Sequence, residues 1–382
     1  MGAPLTTIDN ITYTLTDYVI SNEDGIVVER DNIIIDGKGF NIQRSISIGG
    51  ILIGINLENR KNVTIKNIHI MNFTEGIRIN RSSNITIIGN TLTINGDGFK
   101  IDASSNINIK ENNITLNDYG IWLNYTSESC ISDNSITGGY GVIAYYFSNN
   151  NISLNNIMNS YIGVTFFNSS SNNIIGNNIV NNYGGIGLQN SSLYNKIYHN
   201  NFINNTNQVY IDNSSLWWNV WDDSYPSGGN YWSDYDGFDY KSGPNQDHPG
   251  SDGIGDTPHL IIHLNVTGAV DHYPLIGIFN SYAAGIWRFI SEIISIVSNS
   301  AISNFRIDTT NRMISFRVAG ARYSPGFCRI MIPNIIVEEL WRGRFSVLLD
   351  DEPIPFNKWV YGENTFIYFS YIHSEHEIKI VY

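Results

Sequence analysis

Charged side chains that could carry acid–base chemistry lie at similar positions in successive repeats of the first third of the chain. Arg78 and Lys100 are 22 residues apart, and Asp97, Asp102 and Asp118 lie near them. Neighbouring strands lie about 4.8 Å apart, so carboxylates in successive repeats come within the roughly 5 Å that separates the two acids of a retaining glycosidase. These five residues are the candidates for catalysis by a polysaccharide lyase or a glycoside hydrolase. Because any stacked fold brings acids this close, a non-enzymatic role is favoured over catalysis.

Aromatic side chains continue the same columns toward the middle of the chain. Trp122, Asn124, Tyr145 and Phe167 occupy the repeat positions that Lys100 and Asp102 occupy earlier. Flat rings suit the apolar faces of sugars, and they equally suit another protein or a later segment of this chain. A glycan, a surface protein and an internal cover therefore stay open as occupants. Four tyrosines stand at the adjacent turn, namely Tyr119, Tyr140, Tyr161 and Tyr183.

Residues 217–278 combine aromatic and acidic side chains. Closely spaced oxygen ligands with glycines between them are typical of calcium loops, although the EF-hand pattern is missing. The alternative is an acidic solvated loop that covers the end of the repeats with a tryptophan-rich core. Copper is not expected, because His248, His259, His263 and His272 occur here without Met or Cys ligands. The predicted calcium ligands are Asp234, Asp236, Asp239, Asp247, Asp252 and Asp256.

A regular repeat predicts the element that positions these side chains. Each unit of about 22 residues has room for three short strands with alternating apolar residues, separated by turns rich in Asn, Gly and Ser. No segment of a unit is long enough for a helix. Coiling such units stacks like residues on like, so residues 31–216 are predicted to form a right-handed parallel β-helix. The motif glycine–apolar–any–apolar begins at Gly54, Gly76, Gly98, Gly120, Gly141, Gly163 and Gly185, and Gln208 replaces the glycine in the last copy.

Asparagines at equivalent turn positions have a structural explanation in such a coil. Stacked side-chain amides can pass hydrogen bonds from one coil to the next. Cys130 falls in an apolar column and is predicted to be a buried thiol. With only two cysteines, Cys130 and Cys328, in different predicted domains, no disulfide framework is expected.

The flanking segments complete the predicted domain organisation. Residues 1–30 are interpreted as an N-terminal cap, and 217–278 as the acidic capping module. Apolar residues at helical spacing in 283–299 predict a short amphipathic helix within 279–300, which could pack internally or dock a second copy of the chain. Residues 301–382 are predicted to form a small antiparallel β-sandwich. The whole is therefore an all-β protein with one short helix between its two β-domains.

The charge balance limits the classes of partner. The formal net charge is −13, and only 15% of the residues are charged. Nucleic acid is not expected as a partner, because binding to it needs a basic surface. Numerous Asn-x-Ser/Thr sequons favour an exported, extracellular or cell-surface glycoprotein. Neither a signal peptide nor a membrane anchor is recognised in the sequence.

Several motifs resemble a known family. The segments 33–39 (Ile-Ile-Ile-Asp-Gly-Lys-Gly), 229–235 (Gly-Asn-Tyr-Trp-Ser-Asp-Tyr), 251–258 and 271–275 resemble archaeal secreted NosD-like, CASH-type β-helix repeat proteins. The resemblance covers roughly residues 5–278, and the tail is similar to a small β-domain that often follows. The resemblance implies the β-helix fold and export. It implies an activity on carbohydrate or on copper only weakly, because most such proteins are named from their repeats alone.

Three functions are consistent with these observations. The first, which the regular rod and its aromatic columns favour, is a surface or secreted scaffold that recognises glycans or other surface proteins. It would act alone or within an assembly formed through 283–299 or the C-terminal domain. The second is a polysaccharide lyase or glycoside hydrolase, and the third is a NosD-like copper-handling protein.

Overall fold

The computed structural model describes residues 4–45, 50–263 and 266–382. The chain divides into two compact units. One comprises residues 1–221 with 260–270, and the other comprises 222–259 with 271–382.

The first unit is a parallel β-helix of about nine turns, as the repeat predicts. Each turn contributes one strand to each of three parallel sheets. The first sheet contains Thr12–Leu15, Ile33–Asp36, Lys61–Lys66, Ser83–Ile88, Ser105–Lys110, Cys130–Ser132, Asn151–Ser153, Asn173–Ile175 and Lys196–Tyr198, with Leu5–Thr6 added antiparallel at its edge. The second sheet contains Ile26–Val28, Ile53–Glu58, Glu75–Asn80, Asp97–Asp102, Tyr119–Asn124, Tyr140–Tyr145, Ile162–Phe167, Gly184–Gln189 and Asn207–Ile211. The third contains Val19–Ser21, Asn41–Arg44, His69–Met71, Thr91–Thr93, Asn113–Thr115, Ser135–Thr137, Asn156–Met158, Asn178–Val180 and Asn201–Ile203.

Apolar residues stack in register inside the coil. Phe99 pairs with Ile77 on one side and Ile121 on the other, and all three side chains are fully buried. Ile157 lies between Ile136 and Ile179 in the third sheet in the same way. The coil begins earlier in the chain than expected, because strands within residues 12–28 of the predicted cap already pair in parallel with the next turn.

The predicted asparagine ladders are present. In one of them, Asn134 donates its side-chain amide to Asn155 Oδ1 at 2.9 Å, and Asn155 donates to Asn177 Oδ1 at 3.0 Å. Each oxygen also accepts the backbone N–H of the preceding asparagine, so Asn155 Oδ1 receives two hydrogen bonds. Buried turns thereby satisfy their backbone donors without water, which explains why asparagine recurs at this position.

The prediction that Cys130 occupies an inward column is wrong by one residue. Cys130 pairs with Asn108 and Asn151, whereas Ile131 pairs with Ile109 and Ile152 and is 1% exposed. Because successive side chains of a strand point to opposite faces, a shift of one residue moves Cys130 to the half-buried outer face.

In the second unit, residues 278–382 form the expected small antiparallel β-sandwich. Side chains from both five-stranded sheets meet in one buried core, including Ile294 and Ile296 from one sheet and Ile314 and Phe316 from the other. One sheet has the strand order Ile278–Trp287, Ile290–Ser298, Pro325–Pro333, Asn364–Ile372, Asn357–Tyr361. The other has the order Ala301–Asp308, Met313–Ala319, Glu375–Val381, Ser346–Leu349, Glu352–Ile354. The remaining strands are Tyr231–Trp232, the pair Lys241–Ser242 and His248–Pro249, and the pair His259–His263 and Val266–Asp271.

The prediction of an amphipathic helix at 283–299 is wrong. This segment lies in the antiparallel hairpin of Ile278–Trp287 and Ile290–Ser298. Its isoleucines are β-branched and favour strands, and Ile294, Ile296 and Val297 are all buried, because both faces of the second strand are covered near its end. The helix of the sandwich lies instead at Asn334–Trp341, where Ile336, Val337, Leu340 and Trp341 are buried. No helix in the described residues is long and apolar enough to cross a membrane.

Candidate functional site

The side chains predicted to bind or catalyse lie on the outer surface of the second sheet of the β-helix. Lys100 pairs with Arg78 and Trp122, and Asp102 pairs with Asn80 and Asn124. Tyr145 pairs with Asn124 and Phe167 in the following strands. The structure therefore brings the acid–base candidates and the predicted recognition face together as two ends of one surface.

Two rows of aromatic rings run along this surface. In the first row, the ring centroids of Tyr119 and Tyr140 are 5.2 Å apart, and those of Tyr161 and Tyr183 are also 5.2 Å apart, both pairs being stacked. In the second row, Tyr145 stacks on Phe167 at 4.7 Å with an interplanar angle of 8°, and Trp122 lies 6.0 Å from Tyr145. We call the strip of surface between these rows the trough.

The floor of the trough descends because its side chains become smaller from strand to strand. Ile143, Thr165 and Gly187 follow Trp122 in register, and Ile143 and Thr165 are 6% and 2% exposed. The buried Thr165 hydroxyl has no hydrogen-bond partner among the described residues. A buried hydroxyl without a partner is unusual. The central column reads Arg78, Lys100, Trp122, Ile143, Thr165, Gly187 and Tyr210.

Tyr210 ends the trough on the side of the last coil. A Cβ atom on Gly184 would lie 2.6 Å from Tyr210 Cε2, so the glycine leaves room for the ring. The side-chain amide of Asn207 donates to the Tyr210 hydroxyl at 2.6 Å. Burial and the neighbouring Tyr183 raise the pKa of Tyr210, which keeps its hydroxyl neutral.

The charged end of the surface is a compact set of ion pairs. Arg78 binds both carboxylate oxygens of Glu75, through Nε at 2.5 Å and a terminal nitrogen at 2.7 Å. Lys100 Nζ lies 3.5 Å from Glu75 and 3.4 Å from Asp97, and 4.9 Å from the centroid of the Trp122 ring. Burial raises the pKa of Asp97 against the opposing effect of Lys100. Two carboxylates and two cations thus balance each other.

The remaining catalytic candidates lie apart from this set. Asp102 accepts a hydrogen bond from the Asn124 amide at 2.9 Å, which extends the polar column of the second row. Asp118 is exposed in the turn before Tyr119. A general base needs a free lone pair close to the substrate proton, whereas Lys100 is held between two carboxylates. Catalysis by these residues stays a prediction.

Three of the predicted calcium ligands, Asp239, Asp252 and Asp256, interact with backbone N–H groups or with a cationic side chain of the protein. Asp239 accepts the backbone N–H groups of Asp252 and Gly253 at 3.0 and 2.8 Å, and burial together with the charges of Asp252 and Asp256 raises its pKa to about 7. Asp256 accepts the backbone N–H groups of Tyr240 and Lys241.

Asp252 is 2% exposed, and burial raises its pKa, which the charge of Arg329 opposes. The guanidinium of Arg329 donates to the carbonyl oxygens of Asp252 at 2.5 Å and of Pro226, and the residue is 2% exposed. A buried cation of the protein itself therefore faces this carboxylate.

The other predicted ligands lie at the surface. Asp234 and Asp236 are exposed, and Asp247 pairs with His248 Nδ1 at 2.8 Å. Among the described residues, no group of three or more His, Cys, Asp or Glu side chains is placed to hold a metal ion. Backbone carbonyls and amide oxygens also bind calcium, so the calcium site stays a prediction.

Glu75, an acid of the same repeats, joins Arg78 to Lys100 in the structure. Two further residues that organise these regions, Tyr210 and Arg329, were missed by sequence reasoning. Tyr210 closes the trough, and the pair of glycines Gly184 and Gly187 in the preceding strand was the available signal. Arg329 lies 77 residues from its partner Asp252, and nothing in the local sequence indicates that pairing.

A parallel β-helix with a charged and aromatic outer sheet defines the class of this protein, and comparison with known families agrees. The family model described as "Periplasmic copper-binding protein (NosD)" matches residues 31–237. This range is more than half of the chain, and the chain belongs to the NosD family. No curated protein matches the chain in sequence.

Solved structures similar to this chain are β-helix proteins with different activities. A periplasmic alginate epimerase, AlgG, is 15% identical with a TM-score of 0.42, covering 54% of this chain and 67% of that chain. PfbA, a surface adhesin of Streptococcus pneumoniae, is 14% identical with a TM-score of 0.41, covering 69% and 67%. The pectate lyase Pel9A is 12% identical with a TM-score of 0.39, covering 56% and 70%. At these values no activity is transferred to this chain.

The described residues do not fit a copper centre of the kind that the family description implies. Copper favours imidazole and sulfur ligands that converge on one point. Here His259 stacks on Trp232 with ring centroids 4.7 Å apart, and His272 pairs with Asp222 at 3.0 Å. The described histidine side chains of residues 217–278 are thus engaged in separate places, and the side chain of His263 lies outside the description.

Proposed function

We propose that this NosD-family protein is an exported recognition scaffold that binds a glycan chain along the trough and does not cleave it. The observation that carries the proposal is the trough itself. Two rows of tyrosine and phenylalanine rings run along one face of the second sheet, and Tyr161 and Tyr183 of the first row are about half exposed. The "periplasmic" description of the family supports export.

The chemistry of the walls favours a neutral ligand with many hydroxyl groups. Tyr161 and Tyr183 are 53% and 49% exposed, so a ligand can reach their rings and phenol groups, and the Tyr183 hydroxyl also hydrogen-bonds Tyr210. Asn124 and Gln189 are half-buried in the same face and add amide donors and acceptors. A sugar chain offers hydroxyl groups at regular intervals, and protein sites for sugars combine aromatic surfaces with a few polar groups.

The length and charge of the trough support an extended ligand. From Trp122 to Tyr210 the central column crosses five strands, which corresponds to roughly 19 Å at about 4.8 Å per strand. Within the central column, charged side chains lie only beyond Trp122, where Arg78 and Lys100 are neutralised by Glu75 and Asp97. Among the described residues, the column from Trp122 to Tyr210 therefore carries no cationic group to select a polyanion.

The test is a glycan array that includes linear microbial and plant polysaccharides, followed by a reducing-sugar assay on each bound glycan. We expect binding without turnover. Tyr183→Ala should weaken binding about tenfold, since a contact of an aromatic residue contributes on the order of 1 kcal/mol. The matched control is Tyr194→Ala, which removes a tyrosine of similar exposure (56%) outside the two rows.

Three outcomes would overturn the proposal. If no glycan on the array binds, the proposal is wrong. Equal losses in Tyr183→Ala and Tyr194→Ala would place binding elsewhere. Turnover that is abolished by Asp97→Asn would instead establish an enzyme at the charged end of the same face.

A further inference from the structure

The hairpin of the C-terminal sandwich extends beyond the strand that supports it. Ile278–Trp287 and Ile290–Ser298 pair along their whole length, from Ile278 opposite Ser298 to Trp287 opposite Ile290. The next strand, Pro325–Pro333, pairs with the hairpin only at Ser295–Ser298. The distal residues 283–293 therefore form a two-stranded projection, whose end we call the hairpin tip (residues 286–290).

The hairpin tip carries uncovered apolar side chains at its turn and beside it. Phe289 is fully exposed (101%), Ile286 is 77% exposed and Ile290 is 58% exposed. Ile293 lies below them and is 46% exposed. Single exposed apolar residues are ordinary, but contiguous ones at one point of a fold indicate an interaction surface.

The turn itself is made of residues that do not favour its conformation. Arg288 and Phe289 both have positive φ, 46° and 72°. Two-residue turns of this kind strongly prefer Asn and Gly, and the β-helix of this chain places asparagine at many of its positive-φ sites, such as Asn59, Asn84 and Asn106. Phe289 differs from bulky positive-φ residues of the coils, such as Leu116 and Tyr125 (68% and 59% exposed), because its side chain is fully exposed.

The inner side of the hairpin tip is firmly held. Trp287 is 8% exposed, and its indole N–H donates to the Ala284 carbonyl at 2.7 Å. Arg288 Nε donates to Glu339 of the helix Asn334–Trp341 at 2.7 Å. The charge of Arg288 is thereby drawn away from the exposed ring and compensated, so that the end of the hairpin presents Ile286, Phe289 and Ile290.

We propose that the hairpin tip inserts into the surface of a lipid bilayer and holds the protein at a membrane. A convex two-residue turn buries little area against a rigid protein surface, where specific contacts need roughly 800 Å² on each partner. A fluid bilayer closes around such a projection. Ile286 lies two residues before the turn residue Arg288, roughly 7 Å back along the strand at about 3.4 Å per residue, which fits the 5–10 Å depth of interfacial insertion.

The charge of the protein selects the kind of lipid. The chain has a net charge of −13, and the only cation at the hairpin tip is paired with Glu339. Insertion therefore depends on apolar contact, and anionic headgroups add nothing to it.

Flotation with vesicles of phosphatidylcholine tests the proposal on the full chain. We expect the protein to float with these vesicles, and addition of phosphatidylglycerol should not strengthen binding. Phe289→Asp should lower the partition coefficient about tenfold or more, because it removes a buried aromatic ring and adds a charge. The double substitution Ile286→Ser with Ile290→Ser should act in the same direction.

The control is Tyr361→Asp, which changes an exposed aromatic residue (62%) at another hairpin turn of the same sandwich. Melting curves confirm that each variant is folded. The proposal fails if the unaltered chain stays with the soluble fraction, or if Phe289→Asp and Tyr361→Asp behave alike. It also fails if sedimentation velocity shows a dimer that Phe289→Asp dissociates while vesicles bind neither form, since the occupant is then a second copy of the chain. Glycan binding by Phe289→Asp is measured in parallel and is expected to be unchanged.

Discussion

Tyr145 and Phe167 stack face to face on adjacent strands, with ring centroids 4.7 Å apart and planes within 8° of parallel. Each ring covers a face of the other. The sequence predicts aromatic columns that offer ring faces to sugars, but register stacking in a parallel coil turns those faces toward each other. A ligand along the trough consequently meets ring edges and phenol groups, because Ile143 and Thr165 between the rows are buried.

This geometry changes how the trough would select a ligand. Ring edges carry partial positive charge, and with the tyrosine hydroxyls they favour oxygen-rich groups. Face-on stacking is available only at the ends of a row, and at Trp122 the ammonium of Lys100 already lies 4.9 Å from the ring centroid. Recognition of a glycan along this sheet is therefore expected to depend on hydrogen bonds more than on stacking.

The first prediction concerns the asparagine ladder. Asn155→Ala removes an acceptor of two hydrogen bonds, from the backbone and the side chain of Asn134, and a donor to the carbonyl of Ile131. Each buried group left without a partner costs about 1–3 kcal/mol, so urea unfolding should show a loss of about 3 kcal/mol or more. Asn113→Ala, at an exposed position of the strand Asn113–Thr115, should change stability by less than about 0.5 kcal/mol. Equal effects of the two substitutions would contradict a structural role of the ladder.

A second prediction concerns the buried cation of the second unit. Arg329→Met removes the guanidinium that faces Asp252 and that lies 5.2 Å from the centroid of the Phe366 ring. Removal of one partner of a buried charge pair costs about 3–5 kcal/mol, which should appear as a lower urea midpoint for this unit. Arg306→Met changes an exposed arginine of the same sandwich and is expected to be nearly neutral. Stability equal to that of the unaltered chain would show that Asp252 does not depend on Arg329.

Calcium binding at the acidic segment is a separate prediction. A cation bound only to the folded state raises the melting temperature by linkage. The chain is expected to melt at a higher temperature with calcium than with a chelator, and Asp256→Asn should reduce the difference. If the two melting temperatures coincide, the acidic segment holds no calcium that stabilises the folded chain.

The two cysteines should differ in reactivity. Cys328 is completely buried, and burial raises its pKa to about 11. Cys130 is half-buried on the outer face of the coil. Alkylation by iodoacetamide near pH 8 requires an accessible thiolate, so mass spectrometry should find Cys130 modified at least tenfold faster. Cys130→Ser should abolish the fast phase. Fast modification of Cys328 would instead reveal local opening of the sandwich.

The fold was predictable where the chain repeats itself. Seven copies of the glycine motif define the coil, and the period-2 pattern places its apolar columns, because each coil meets only its neighbours. The prediction for Cys130 was wrong because the pattern is ambiguous there. Cys130 and Ile131 are both apolar, and a shift of one residue exchanges the inner and outer faces of the strand.

The structure of the non-repetitive part of the chain could not be predicted from the sequence for a different reason. At 283–299 the apolar spacing fits a helix and a hairpin equally, and the strand Pro325–Pro333, which decides between them, comes 27 residues later. The Arg329–Asp252 contact likewise joins residues 77 apart. For the trough, the sequence shows which residue types occur. The stacking of the rings on each other and the burial of the Thr165 hydroxyl depend on the register of the strands, which the structure provides.

The last prediction is a pH dependence that originates at Asp271. Its carboxylate is fully buried and accepts hydrogen bonds from the backbone N–H groups of Asn230 and Tyr273 and from the indole of Trp232. Burial outweighs these contacts and raises the pKa of Asp271 to about 7. Asp239, whose pKa is also raised to about 7, acts in the same direction.

Between about pH 4 and pH 7 the folded chain retains protons that the unfolded chain has released, so the free energy of unfolding falls as the pH rises through this window. The slope per group is at most about 1.4 kcal/mol per pH unit, and it vanishes above the folded pKa. Asp36 and Asp212, whose pKa values are lowered, contribute stability that is lost only below this window. Urea unfolding followed by tryptophan fluorescence between about pH 4 and pH 8 measures the slope. Asp271→Asn cannot titrate, so the difference in slope between this variant and the unaltered chain measures the contribution of Asp271. Equal slopes for the two chains would mean that the three donors hold Asp271 ionised in the folded protein.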